Sequence, residues 1–172
     1  MSGELKHSGR IWVLDRDGSL IDDIDTDMIY HNNYLAVTDR AEMARYALGN
    51  LEGYEDFAEK AREGDIVLAG ENFGSGSSRQ HAVDCFLALG VRAIVARSFG
   101  AIYKRNAINS ALPVVEAPSI EADLFEHLQE VDLDLETGVI SAGGREHRAR
   151  PMSGVALDIY RAGGLFQYAA TL

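Results

Sequence analysis

At 172 residues, with 47% hydrophobic and 25% charged residues, the chain has the length and composition of one globular domain with a substantial core. A formal net charge of −11 counts against a nucleic-acid or anionic-membrane partner, and a single cysteine, Cys85, excludes an internal disulfide, a thiolate zinc site or an iron–sulfur cluster held by this chain alone. No apolar run is long enough to span a bilayer and residues 1–10 contain no apolar stretch resembling a secretory signal, so a cytoplasmic location is expected.

Taken in chain order, residues 11–14 read as an opening strand, followed by an acidic loop through Asp27. Asp39 and Glu42 have capping-box spacing, which places a helix start at Asp39, and residues 54–62 read as a second short helix. Strands and helices then alternate. Residues 66–69 form a buried-type strand, a glycine-rich turn follows, and residues 79–89 form a helix whose Ala82, Val83, Phe86 and Leu89 share a face and which Gly90 ends. Residues 93–96 are a strand, Ser98 caps a helix to about Ser110, and residues 113–116 are a third strand. Val131, Leu133 and Leu135 alternate with acids, and Glu136-Thr137-Gly138 turns them into Val139 and Ile140 as a hairpin. Residues 152–161 and the tail from Leu165 read as closing helices around Gly163-Gly164. The expectation is a single α/β domain over residues 1–172, with parallel and antiparallel parts.

The turn Gly70-Glu71-Asn72-Phe73-Gly74-Ser75-Gly76-Ser77-Ser78-Arg79 is the strongest chemical signal. It lacks the third glycine of a dinucleotide fingerprint, Arg79 standing there, and the Lys-Ser/Thr ending of a P-loop. Two readings stay open on local pattern alone: an ordinary strand-to-helix turn capped by Ser77, or an anion site in which helix-start amides, Ser77, Ser78 and the planar guanidinium of Arg79 meet a carboxylate. The acidic run from Asp22 to Asp27 fails as an EF-hand loop, because Met28 and Tyr34 occupy the glycine and bidentate-acid positions, and turn capping is the expected role. His31 and His81 have the chemistry of acids or donors, but a structural role is expected of both, and Cys85 is expected to be a small buried hydrophobe.

Several ordered motifs then converge: Ile24-Asp25-Thr26-Asp27, Gly64 through Gly74, Gly76-Ser77-Ser78-Arg79, Ala96-Arg97-Ser98-Phe99 and Asn106-Ala107-Ile108-Asn109. In this order they closely resemble the small-subunit family of 3-isopropylmalate dehydratase and homoaconitase, equivalent to the C-terminal swivel domain of aconitase. The resemblance implies a single swivel-type β/β/α domain with mixed parallel and antiparallel strands, and a heteromeric hydro-lyase acting on a malate-type hydroxy acid, as in leucine biosynthesis. It implies a [4Fe–4S] cluster on a separate large subunit, with no metal held by this chain. By position it makes Ser77 the proton-accepting serine and Arg79, with Ser78, the carboxylate-binding residues. It also puts substrate choice in the loop of Tyr34, Leu35, Ala36 and Val37, where Ala36 and Val37 carry no charge and favour an alkyl arm over a further carboxylate. Ser75, Gln80 and the run Tyr30-His31-Asn32-Asn33 depart from the family's usual residues. The rival expectations are a dehydratase subunit for another substrate, homoaconitate or a methylated malate, and a non-catalytic anion-binding module.

Overall fold

The computed structural model describes residues 3–172. Strand β1 (Lys6–Val13) begins well before the apolar run, because its polar first half pairs with a later strand. Asp17 and Gly18, both with positive φ, turn β2 (Asp15–Arg16) into β3 (Ser19–Leu20). The acidic stretch holds a helical turn, α1 (Thr26–Ile29), because Asp25 accepts the Met28 amide at 2.8 Å. Asp39 caps α2 (Arg40–Met43) as its spacing predicts, accepting the Ala41 amide at 3.0 Å. Helix α3 (Phe57–Lys60) is shorter than expected: the Tyr54 hydroxyl serves the main chain at Val13 and Asp15, and the Arg62 amide donates to Asp65 at 2.8 Å.

The central alternation comprises β4 (Ile66–Ala69), α4 (His81–Leu89), β5 (Ala93–Ala96), α5 (Ala101–Asn109) and β6 (Val114–Glu116). Both helix starts differ from expectation. Helix α4 starts two residues after Arg79 and has no side-chain cap, so Ser77 is not its N-cap. Ser98 does not cap α5 either, since its hydroxyl accepts the Asn72 amide at 2.8 Å while Phe99 bridges to Phe73. Beyond come β7 (Glu130–Asp134), β8 (Val139–Ala142), β9 (Arg145–Arg148), α6 (Gly154–Ala162) and α7 (Leu165–Ala169).

One seven-stranded sheet runs β6-β5-β4-β1-β7-β8-β9. Strand β1 joins its halves: Ile11, Trp12 and Val13 run parallel to β4, whereas Lys6 through Arg10 pair antiparallel with β7. Alternate residues enter opposite cores. Trp12, Val67 and Ile94 face the side covered by Val83 and Phe86 of α4 and Tyr103 of α5, while Ile11, Ile66 and Leu68 face the side holding Leu133, Ile140 and Tyr160. Full burial of such side chains contributes about 1.5–3 kcal/mol each. At the amino end of β4, buried Asp65 takes Arg10 and the Trp12 indole at 2.8 Å each, and locks the centre of the sheet. No helix among the described residues is long and apolar enough to cross a membrane.

Candidate functional site

The segments leaving the carboxyl ends of β1, β4 and β5 meet above the sheet, where open parallel α/β sheets hold ligands. Gly70 donates to Ile21 O at 2.9 Å, Gly74 to Ile24 O at 2.7 Å, and Thr26 to Ser75 O at 2.9 Å, so the turn is stitched to the acidic segment. Gly74, at φ 79°, lies so close to the Tyr103 ring that a Cβ would stand 2.2 Å from it. Gly76, at φ 94°, then turns the chain outward.

Ser77 is exposed, and its hydroxyl has no partner among the described residues, although its carbonyl accepts Thr26 Oγ1 at 3.0 Å. Ser78 Oγ accepts Asn106 Nδ2 at 3.2 Å. The consecutive amides of Ser77, Ser78, Arg79, Gln80 and His81 have no acceptor within the described chain; the first bond of the following turn runs from Ala82 to Arg79 O at 3.1 Å. Such a row of unpaired N–H groups at a helix entry favours a negative charge.

Arg79 is anchored along one edge. Its Nη1 donates to Tyr30 O at 2.7 Å and to Asp27 Oδ1 at 3.2 Å with the side chain 11% exposed, while Nε and Nη2 have no partner among the described residues. The open edge is the two-donor fork that a carboxylate matches. The Asn32 amide, then Arg79, hold the Asp27 carboxyl below its ordinary value. Burial pushes the Tyr30 phenol up to about 12, and its hydroxyl donates to Tyr34 O at 2.8 Å.

His81 ties the turn to the 34–37 loop: its Nε2 donates to Val37 O at 3.2 Å, and its ring lies 5.0 Å from that of Tyr30. Val37 is half-buried and Ala36 exposed beside this link. Tyr34 goes elsewhere, stacked on Tyr46 at 3.8 Å in a cleft that also holds His31, Asn33, Arg45 and Asn50. Thus Ser77, Ser78 and Arg79 share one turn that His81 ties to Val37, while the Tyr34 ring stacks on Tyr46 and meets Tyr30 edge-on at 6.4 Å. His31 caps the next turn, its Nδ1 accepting the Asn33 amide at 3.0 Å, and Arg40 reaches Asp84 at 3.4 Å. Gln80 spans Asp84 and Ser110 at 3.0 and 2.8 Å.

Asn106 carries no expected role from sequence and Thr26 and Asp27 only that of turn capping, yet all three join the site: Thr26 Oγ1 donates to Ser77 O, Asp27 accepts from Arg79 and Asn106 donates to Ser78. All three lie in the motifs Ile24-Asp25-Thr26-Asp27 and Asn106-Ala107-Ile108-Asn109, which is the signal that points to them. Asp22 and Asp23 bond to the turn 49 positions along the chain: Asp22 accepts the Glu71 amide at 2.7 Å and Asp23 the Asn72 side chain at 2.9 Å. Among the described residues no three His, Cys, Asp or Glu side chains converge to hold a metal. Cys85 is wholly buried on α4, and burial pushes its thiol far up, the opposite of what a metal thiolate requires.

Comparison with known proteins is consistent throughout. The family described as Aconitase C-terminal domain matches residues 21–119. The chain is 42% identical to the 3-isopropylmalate dehydratase small subunit of Aquifex aeolicus, over 96% of this chain and 95% of that one. It is 41% identical to 3-isopropylmalate dehydratase small subunit 1 of Methanopyrus kandleri, over 92% and 89%. The crystal structure of a 3-isopropylmalate dehydratase chain from Methanocaldococcus jannaschii superposes with a TM-score of 0.85 at 34% identity, covering 96% of this chain and 94% of that one.

Proposed function

We propose, from the premise that this chain belongs to the aconitase C-terminal domain family among the small subunits of 3-isopropylmalate dehydratase, that it provides the base and the carboxylate clamp of a heteromeric hydro-lyase interconverting 2- and 3-isopropylmalate in leucine biosynthesis. The whole chain acts as one swivel-type domain in the cytoplasm, closing on a large subunit. That subunit carries the [4Fe–4S] cluster, for which the single buried cysteine here offers no ligand. When bound there, the cluster supplies Lewis acidity toward the substrate hydroxyl.

The observation that carries this reading is the position of Ser77: an exposed hydroxyl at the head of a row of amides, all without partners among the described residues, beside an arginine that those residues anchor on one edge. A serine hydroxyl is a feeble base unless its alkoxide is stabilised, and oriented amides in a site shielded from water supply that stabilisation. Ser77 Oγ takes the proton from the carbon beside a substrate carboxylate, and returns it on the other carbon when water re-adds. The open edge of Arg79 grips that carboxylate, with Ser78, held by Asn106, alongside. Ala36 and Val37 present an apolar rim to the branched alkyl arm. A non-catalytic anion-binding module gains nothing from relatives named as dehydratase subunits.

The test is isopropylmalate turnover by the chain assembled with its large subunit. Ser77→Ala lowers kcat by about 100-fold to 10,000-fold, with circular dichroism and complex formation unchanged, and Ser78→Ala lowers it far less. Equal effects of the two changes would remove Ser77 from the chemistry.

A further inference from the structure

Beside the Ser77 turn lies a groove of about 460 Å³ between α4, α5 and α7, lined by Gln80, Asn106, Asn109, Leu165 and Phe166 among others. Phe166 is 87% exposed and Leu165 37% exposed. A single exposed ring is ordinary on a protein surface, but here Phe166 stands with Leu165 in one groove. Although 25% of the chain is charged, Arg40 and Asp84 are the two charged residues among the eleven that line the groove. The surrounding segments are tied together: Asn106 Nδ2 donates to Ser78 Oγ at 3.2 Å, and Gly164 packs against α5, its Cβ position 3.2 Å from Asn109 O. An aromatic anchor amid neutral polar groups is how the centre of a protein interface is composed.

We infer that this groove, with Phe166 as its anchor, is the docking surface for the large subunit. The inference rests on the reading in which a separate subunit brings the cluster to Ser77. A surface delivering a reacting centre to Ser77 has to close over the adjoining residues, and the groove is continuous with them: Asn106 lines it and holds Ser78, and Gln80 is Arg79's chain neighbour. A charged ligand would find few partners there, since Arg40 and Asp84, the charges at its edge, are paired with each other.

The experiment titrates the large subunit from the same organism into the full chain, following association by calorimetry and sedimentation. Phe166→Asp is expected to weaken association about thirtyfold or more while leaving the thermal melt of the isolated chain in place, and Phe166→Leu to restore most of the affinity. Ser77→Ala, the control, binds like wild type. Undiminished affinity in Phe166→Asp, alongside normal binding by wild type, would overturn the docking surface and leave the enzymatic reading intact. A wild-type chain that binds no large subunit would overturn that reading itself. A change in the self-association of the isolated chain, with no change in the titration, would assign the groove to a second copy and likewise overturn the inference.

Discussion

On the proposed function, Arg79 serves fold and function on opposite edges of one side chain. Its Nη1 fixes the 77–80 turn to the start of the Tyr30 loop, and Nε and Nη2 have no partner among the described residues, the pair that the proposal gives to a carboxylate. Lysine retains the charge but has one nitrogen for both tasks. Arg79→Lys is therefore expected to lower kcat/KM by about 100-fold, with KM raised and kcat reduced together. Asp27→Asn keeps an acceptor for the Asn32 amide and for Nη1 but removes the charge. Because Asp27 is 42% exposed and screened by water, the loss is smaller, about tenfold or less in kcat/KM. Steady-state kinetics on the assembled enzyme ranks the two, and an Asp27 variant worse than the Arg79 variant would reverse their roles. The residue types for this site are legible in the motif, whereas the anchor is not: Asp27 and Arg79 lie 52 positions apart in sequence, and no local pattern pairs them.

Among the elements, β4 and β5 fall where their apolar runs place them, because a strand buried on both faces leaves an uninterrupted run bounded by turn residues. The first half of β1 and strand β9, rich in charge and hydrogen-bonding side chains, are set by their pairing partners and leave little hydrophobic pattern to read. Helix starts erred for a related reason. Ser77 and Ser98 look like caps locally, but distant groups claim the main chain of one and the hydroxyl of the other. The 34–37 loop is divided the same way, with Tyr34 drawn into its stack on Tyr46 and Val37 held by His81. On the proposed function, substrate choice is then assigned to Ala36 and Val37. Ala36→Arg is expected to shift the kcat/KM ratio toward homoaconitate over isopropylmalate by about tenfold, as a cation matches the extra carboxylate and opposes the alkyl arm. A wild-type preference for the tricarboxylate, or an unmoved ratio in the variant, would defeat the apolar rim.

At the scale of the molecule, the antiparallel half and α6 are fastened to β1 through groups that titrate. His7, 8% exposed on β1, donates from Nε2 to the Tyr160 hydroxyl at 3.0 Å, and that hydroxyl donates onward to Glu4 O at 2.8 Å. Burial, then Arg92, pushes the His7 pKa below its ordinary 6.5, outweighing the opposing pull of Glu4. In the unfolded chain His7 binds its proton at higher pH than in the folded one, so stability is complete above about 6.5 and declines as the pH falls from there toward the folded value. Asp65 behaves differently in range, though not in direction. Desolvation alone would raise its carboxyl, but the bonds from Arg10, the Arg62 amide and Trp12 outweigh it, so its pKa lies below 3.8 and its contribution survives until much stronger acid. Thermal melts taken from neutrality into strong acid should therefore show one fall in melting temperature below pH 6.5 and a second, separate fall below pH 3.8. His7→Gln, which keeps a donor for Tyr160, should shrink the first fall to the part due to His127, whose Nδ1 accepts the Val13 amide and whose pKa burial also lowers, and leave the second in place. A melting temperature that holds level from neutrality down to about pH 5 in the wild type, or an unchanged first fall in His7→Gln, would show that His7 is not the group that loosens the two halves.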